Sequence, residues 1–452
     1  MTGIFHAYDV RGVFPSQLNE KIAYQIGRAF VTFMKTKSVL VGRDARISSI
    51  KLYRALIKGI TDQGASVIDI GLCTTPLFYF ASRKAQSSIM ITASHLPKQF
   101  NGFKFCREHA IPISEKDGLK QVEKLTNNND FKISKKKGKI SHTNPMAEFV
   151  RFNHKFFKKQ STPKNNKIKI TKKIKIILDS GNGMSGYTFP KAVKNLKFIK
   201  LIVQHGKLDF SFPNHIPNPL MFFTLKDLQK RVIKEKADFG VATDGDGDRC
   251  TFVDEKGKVI SPDLTTALIA IQLLKQHPHA KIMYDVRCSK VVPEIIKKHG
   301  GKAIMSRVGH SFIKKKMRTN KIIFAGELSG HMYYSANNFT EGPIISVALI
   351  TNLLNDSKQP LSSLVKPLRK YYHSGEINRK VKDKTKIIGN VEKKFKSKAQ
   401  KTLHLDGLSM YFKDWWFSLR ESHTEDQLRL NLEANSSKLM QEKKRDILKM
   451  IK

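Results

Sequence analysis

Three stretches of this 452-residue chain pass from an apolar, strand-like run through a glycine-bearing turn into a helical period. A strand that returns parallel to its neighbour needs such a crossover, so the rhythm restricts the chain to layered α/β architecture. The first stretch runs from Ser38 to Asp44, then into a helix over 48–64 and a strand over 65–71. The second is Lys175 to Gly183, and the third is Lys281 to Val286 with a helix over 289–299. At about 100–200 residues per domain the length allows three or four domains, and an apolar content of 40% is enough to give each a core. Between the first two units, 153–173 is lysine-dense with little apolar periodicity, as in a linker or exposed loop. The C-terminal part changes character: 381–403 is polar, alternating segments surround Asp414 to Arg420, and a helix is expected over 437–452, together a separate α+β module.

The formal charge of +44 would by itself point to nucleic acid. Lysine, however, supplies 64 of the 82 basic residues and is spread along the whole chain. No aromatic-interleaved RNA-binding strand, Cys/His finger or basic zipper accompanies it, so no specific nucleic-acid partner is expected. The longest apolar runs, such as 267–274, are too short to span a bilayer, and the start has no basic-then-apolar leader. Cys73, Cys106, Cys250 and Cys288 stand far apart, indicating neither a zinc site nor a disulfide framework. These features lead us to expect a soluble, cytoplasmic protein without a membrane partner.

The chemistry concentrates in Ala242 to Arg249, where Asp244, Asp246 and Asp248 alternate with glycines directly after an apolar run. Three like charges this close repel, and a divalent cation relieves the repulsion. All-oxygen ligands favour Mg²⁺, Mn²⁺ or Ca²⁺. An EF-hand would need glycine at its sixth position; Arg249 stands there, followed by strand-like residues. Arg249 also suits a site that receives phosphate. A second segment, Ile89 to Pro97, reads as a buried strand opening into a loop that presents Ser94 and His95, with Lys104 beyond. A strand-end serine beside histidine is a nucleophile with its base or an ordinary turn residue. Together with the carboxylates and the lysine, it can hold a serine phosphate, a metal ion and a phosphate-bearing substrate.

In this combination the chain resembles the α-D-phosphohexomutases, in their phosphomannomutase/phosphoglucomutase branch. The shared motifs occur in family order over nearly the whole length: Tyr8 to Gly12, Thr92 to His95, Asp244 to Arg249, Gly326 to His331 and Arg420 to Glu425. The resemblance implies three tandem α/β domains with mixed sheets plus a C-terminal α+β domain around a central cleft, bounded at 1–145, 146–252, 253–365 and 366–452, the last closing on the substrate. It implies that Ser94 carries a phosphoryl group exchanged with a hexose monophosphate through a hexose 1,6-bisphosphate. One Mg²⁺ would be bound by Asp244, Asp246, Asp248 and the Ser94 phosphate. His95, Lys104, Arg249 and His310 would complete the catalytic set, with Lys104 and Arg249 as fixed charge and Lys104 or His310 exchanging the hydroxyl proton. Tyr8, Arg11, Arg287, Glu327, Ser329, Arg420, Ser422, His423, Thr424 and Arg429 would bind the phosphosugar. A monomer is expected.

The sequence departs from the family pattern at Leu96, where asparagine is usual, at Arg287, where relatives often have lysine, and at Glu421, His423 and Asp426 in the phosphate loop. Glu421 and Asp426 weaken anion binding if they point inward. Phosphomannomutase and/or phosphoglucomutase activity is the primary expectation. A phosphoglucosamine mutase and an inactive, mutase-like polyanion-binding protein are the alternatives.

Overall fold

The computed structural model describes residues 3–129, 131, 134–158, 173–421 and 427–451. The chain divides into two compact units, Met1–Ser261 with Ser329–Ser362, and Pro262–Leu328 with Ser363–Lys452. No helix among the described residues is long and apolar enough to cross a membrane. All four cysteines are buried, and none is in a disulfide.

The first unit holds two mixed sheets. In the larger, the strands lie in the order Val10–Val13, Phe100–Arg107, Ser87–Ile91, Ser38–Arg43, Ser66–Leu72, Ile140–His142, with Ile111–Pro112 beside Phe100–Arg107. Ser38–Arg43 pairs parallel to both its neighbours, and Ser87–Ile91 pairs antiparallel to Phe100–Arg107. Every residue of Ser87–Ile91 is buried, as befits a strand covered on both faces. The crossover helices Glu20–Met34 and Ile47–Asp62 supply Ile26, Phe30, Leu52, Leu56 and Ile60 to the core over this sheet. Asn19 sets the start of the first by accepting from the Ile22 amide at 3.1 Å, which relieves one of the unpaired donors of the opening turn.

The second sheet runs Val259–Ile260, Cys250–Asp254, Phe239–Thr243, Ile174–Asp179, Ile199–Gln204. Its last three strands are parallel, and its first two fold back antiparallel. Thr243 pairs with Cys250, so the acidic segment is the loop of a hairpin between two fully buried strands. The segment 329–362 adds the hairpin Met332–Tyr334 with Thr340–Glu341 and the buried helix Pro343–Ser357.

In the second unit, Lys302–Ser306, Lys281–Asp285 and Phe324–Gly326 are parallel. The C-terminal sheet is antiparallel throughout, in the order Tyr372–Lys380, Gln427–Ala434, Trp415–Glu421, Leu408–Tyr411, Lys401–Leu403. Phe395, Phe412, Trp415 and Phe417 build its core, Phe412 stacking on Trp415 at 4.0 Å. The helix Ser437–Leu448 stops short of the expected 452, and the helix expected over 289–299 spans Val291–Lys298. Most of the segment read as a linker, 159–172, lies outside the described residues.

Candidate active site

Asp244, Asp246 and Asp248 are almost completely buried, and their carboxylates lie within 4.8 Å of one another. The loop folds around Asp244: the Asp248 and Arg249 amides both donate to its Oδ1 at 3.1 Å. Its Oδ2 accepts from the Ser94 hydroxyl at 2.7 Å, which joins the serine loop of one sheet to the hairpin of the other. Glycine at 245 is required by this approach, since a Cβ there would lie 2.6 Å from the Ser94 carbonyl oxygen.

Lys104 reaches in from Phe100–Arg107 and donates to Asp246 Oδ2 at 2.9 Å and to Asp248 Oδ2 at 2.6 Å. Burial opposes its charge, but Asp246 and Asp248 outweigh burial and hold the ammonium above its ordinary pKa. That pairing suits the fixed-charge role rather than proton exchange. Asp246 Oδ2 also accepts from Thr75 Oγ1 at 2.7 Å, while the Asp246 carbonyl accepts from the Thr75 amide at 2.9 Å. Arg249 Nε lies 3.7 Å from Asp244 Oδ2 and 3.2 Å from His331 Nε2, and His331 lies 3.3 Å from Asp248 Oδ1. Ser329 Oγ is 3.0 Å from His331 Nδ1, which places Ser329 behind the histidine.

Burial, then repulsion from Asp248 and Asp246, pushes the Asp244 carboxyl well above the carboxylate range. Asp248 moves the other way: burial opposes ionisation, and Lys104 and His331 overcome it. Lys104 and Arg249 make direct ion pairs to the three carboxylates, and His331 lies within pairing distance of Asp248. Asp246 Oδ1 is buried without a hydrogen-bond partner. An unsatisfied carboxylate oxygen in an all-oxygen cluster fits a hard divalent cation.

Ser94 is buried and left-handed, with φ of 50°, an uncommon conformation outside glycine that its surroundings must enforce. Arg46 enforces it. Its guanidinium is buried, pairs with Asp44 at 3.1 Å, and donates to the carbonyls of Ser94 (2.9 Å), Leu96 (2.8 Å), Pro97 (2.9 Å) and Phe100 (3.1 Å). His95 Nδ1 is 3.3 Å from Ser94 Oγ. Its enclosure, with Arg249 and Arg11 nearby, pushes the imidazole well below its ordinary pKa, so it stands neutral. Arg11 pairs with Asp9 at 2.7 Å, and Tyr8 is half-buried just before that strand.

The second unit gathers another set of the expected residues. Arg287 grips Asp285 through Nη2 at 2.7 Å and lies 4.0 Å from Glu327. Glu376 sits among three guanidiniums: Arg420 at 2.8 Å, Arg429 at 3.4 Å and Arg287 at 3.6 Å. His310 opens the helix His310–Thr319, and the preceding Gly309 amide donates to Glu327 Oε1 at 3.2 Å. Glu327 and Ser329 fall in different compact units. Ser422, His423, Thr424 and Asp426 lie outside the described residues.

Sequence reasoning missed Arg46, Asp44, Thr75, His331 and Glu376. The one local signal was the Asp44-Ala45-Arg46 spacing, which lets an arginine fold back onto the carboxylate two residues before it.

Family models for phosphoglucomutase/phosphomannomutase match in order: alpha/beta/alpha domain I over residues 2–133, domain II over 153–257, domain III over 261–372, and the C-terminal domain over 376–450. A phosphomannomutase of Methanocaldococcus jannaschii is 39% identical over 449 residues, covering 99% of this chain and 97% of that protein. The crystal structure of a phosphoglucomutase/phosphomannomutase family protein from Burkholderia thailandensis is similar with a TM-score of 0.88 at 30% identity, covering 99% of this chain and 96% of that one. An Aspergillus fumigatus N-acetylphosphoglucosamine mutase in complex with GlcNAc-6P and magnesium shares the fold with a TM-score of 0.60 at 13% identity, covering 92% and 82% of the two chains.

Two outcomes follow. Arg46→Lys replaces a five-donor fork with a single ammonium and strands buried carbonyls, so it should cost about 2–3 kcal/mol in urea unfolding rather than the fraction expected of a surface exchange. Partial desolvation opposes ionisation of Glu376, yet Arg287, Arg420 and Arg429 hold its pKa below the ordinary value. Its ionisation therefore stabilises the fold above the unfolded-state pKa, and the contribution is lost as pH falls through the lower folded value. Glu376→Gln should be less stable at neutral pH and lose less stability than wild type between about pH 5 and pH 3, read from urea midpoints.

Proposed function

The chain belongs to the phosphoglucomutase/phosphomannomutase family of phosphohexomutase enzymes, and from that premise we propose that it interconverts the 1- and 6-phosphates of mannose, glucose or both through a phosphoserine at Ser94. The observation that carries this reading is the Ser94 hydroxyl seated 2.7 Å from Asp244, within a buried cluster of three carboxylates and Lys104. In the forward half-reaction the bond from phosphorus to Ser94 Oγ breaks and one from phosphorus to the free sugar hydroxyl forms, giving a hexose 1,6-bisphosphate. The displaced hydroxyl proton goes to a base, for which Lys104 and His310 are the candidates, Lys104 being the poorer because Asp246 and Asp248 hold it charged. The bisphosphate then presents its other phosphate, Ser94 Oγ takes that phosphoryl group back, and the isomeric monophosphate departs.

Asp244, Asp246 and Asp248, with the Ser94 phosphate, would hold Mg²⁺, which when bound supplies charge stabilisation to the transferring phosphoryl oxygens. The protein's own part is positional. Arg46 fixes the serine loop, and Lys104 and Arg249 present fixed positive charge. Arg287, Arg420 and Arg429 are the arginines suited to grip the phosphate that does not react, with Glu376 yielding them to it. Glu327 and Ser329 are the candidate partners of the sugar hydroxyls.

Ser94→Ala should lower turnover of mannose 1-phosphate and glucose 1-phosphate at least about 1,000-fold with glucose 1,6-bisphosphate present, and abolish the phosphoprotein mass seen for wild type. Full activity in that variant sinks the phosphoserine reading, and faster turnover of glucosamine 6-phosphate than of either hexose phosphate would reassign the substrate. Asp246→Asn should raise the Mg²⁺ concentration for half-maximal activity by on the order of tenfold. An unchanged Mg²⁺ response would remove the acidic loop from the metal assignment.

A further inference from the structure

Asp179, His205 and His215 form a second cluster of potential ligand atoms, all within 4.8 Å of one another. Asp179 ends the strand Ile174–Asp179 with its carboxylate fully buried, and His205 directly follows the neighbouring strand Ile199–Gln204. His215 comes in on the loop beyond, over the turn at Gly181, where φ is 50° and a Cβ would meet the His215 ring at 3.1 Å. His205 Nδ1 lies 3.2 Å from Asp179 Oδ1, and His215 Nε2 lies 3.3 Å and 3.2 Å from Oδ1 and Oδ2.

Simple ion pairing explains this poorly. His215 Nδ1 is 2.9 Å from the Ile216 carbonyl oxygen, which only accepts, so Nδ1 carries a proton. Nε2 faces the carboxylate nearly equidistant from both oxygens. A charge-assisted N–H···O⁻ bond would be shorter, at about 2.7–2.9 Å, and directed at one oxygen. Ligands at about 2.0–2.2 Å around a tetrahedral ion stand about 3.3–3.5 Å apart, and the two aspartate–histidine edges here measure 3.2–3.3 Å. The surroundings match as well. Metal-binding imidazoles typically donate their other N–H to a carbonyl, and ligating carboxylates are themselves hydrogen-bonded. Asp179 accepts from the Gly181 amide at 2.9 Å and from Gln204 Nε2 at 3.1 Å.

We propose that Asp179, His205 Nδ1 and His215 Nε2 bind one Zn²⁺, with water as the fourth ligand. Two imidazoles with one carboxylate suit Zn²⁺ and not Mg²⁺, which keeps this site chemically separate from the acidic loop. The ion clasps the loop carrying His215 to the turn after Asp179, and that turn touches the acidic loop, since the Met184 amide donates to the Gly245 carbonyl at 2.8 Å. The site is therefore a brace behind the phosphoryl-transfer loop.

The test is Zn²⁺ binding to chelator-treated full-length protein in excess Mg²⁺, which fills the oxygen-only site. Wild type and Asp246→Asn should each bind one molar equivalent of Zn²⁺, with a rise in unfolding temperature. His205→Gln and His215→Gln should bind it more than about tenfold more weakly. Substituted Co²⁺ should show the visible absorption of a tetrahedral nitrogen/oxygen site. No Zn²⁺ bound by wild type overturns the proposal whether or not the variants fold, and leaves an imidazolium–aspartate pair in its place. So does a Zn²⁺ equivalent that survives both histidine substitutions.

Discussion

Mutual repulsion among Asp244, Asp246 and Asp248 is the constraint around which the first unit is organised. An uncompensated buried charge costs several kcal/mol, and here three share one loop. The compensation comes from elements far apart in the chain: Lys104 on one sheet, Thr75 at the start of a helix, Ser94 on a strained loop, and His331 on the later hairpin. Lys104, Thr75 and Ser94 each aim a donor at a specific carboxylate oxygen, and His331 Nε2 lies 3.3 Å from Asp248 Oδ1. The three carboxylates so gathered form a group that could hold a metal ion.

The second unit poses the converse problem. Arg287, Arg420 and Arg429 converge on Glu376, while Arg287 also pairs with Asp285 and lies 4.0 Å from Glu327. One unit gathers carboxylates around a lysine and an arginine, and the other gathers arginines around a glutamate.

The layered architecture was legible because strand, turn and helix are written in local periodicity, and the acidic loop because its three carboxylates are neighbours in sequence. Ser94 was legible for a similar reason, as a polar residue at the end of an apolar strand. Arg46 was not, because its partners lie about fifty positions downstream and only the folded loop turns their carbonyls toward it. Thr75 meets Asp246 across 171 positions, and Glu376 meets Arg420 across 44. No spacing encodes such contacts. Lys104 was found from sequence, but its placement between two carboxylates was not.

The first compact unit is discontinuous, and that has a bearing on synthesis at the ribosome. His331 is made 82 positions after Arg249, the residue it meets. In between, the chain must emit Pro262–Leu328, which belongs to the other unit. Domains ordinarily fold as they emerge, from the N-terminus onward. Here the hairpin carrying the carboxylates is made well before the 329–362 segment that brings His331 to it. A fragment ending near residue 261 would carry the full acidic loop and the serine and still lack part of its own structural unit.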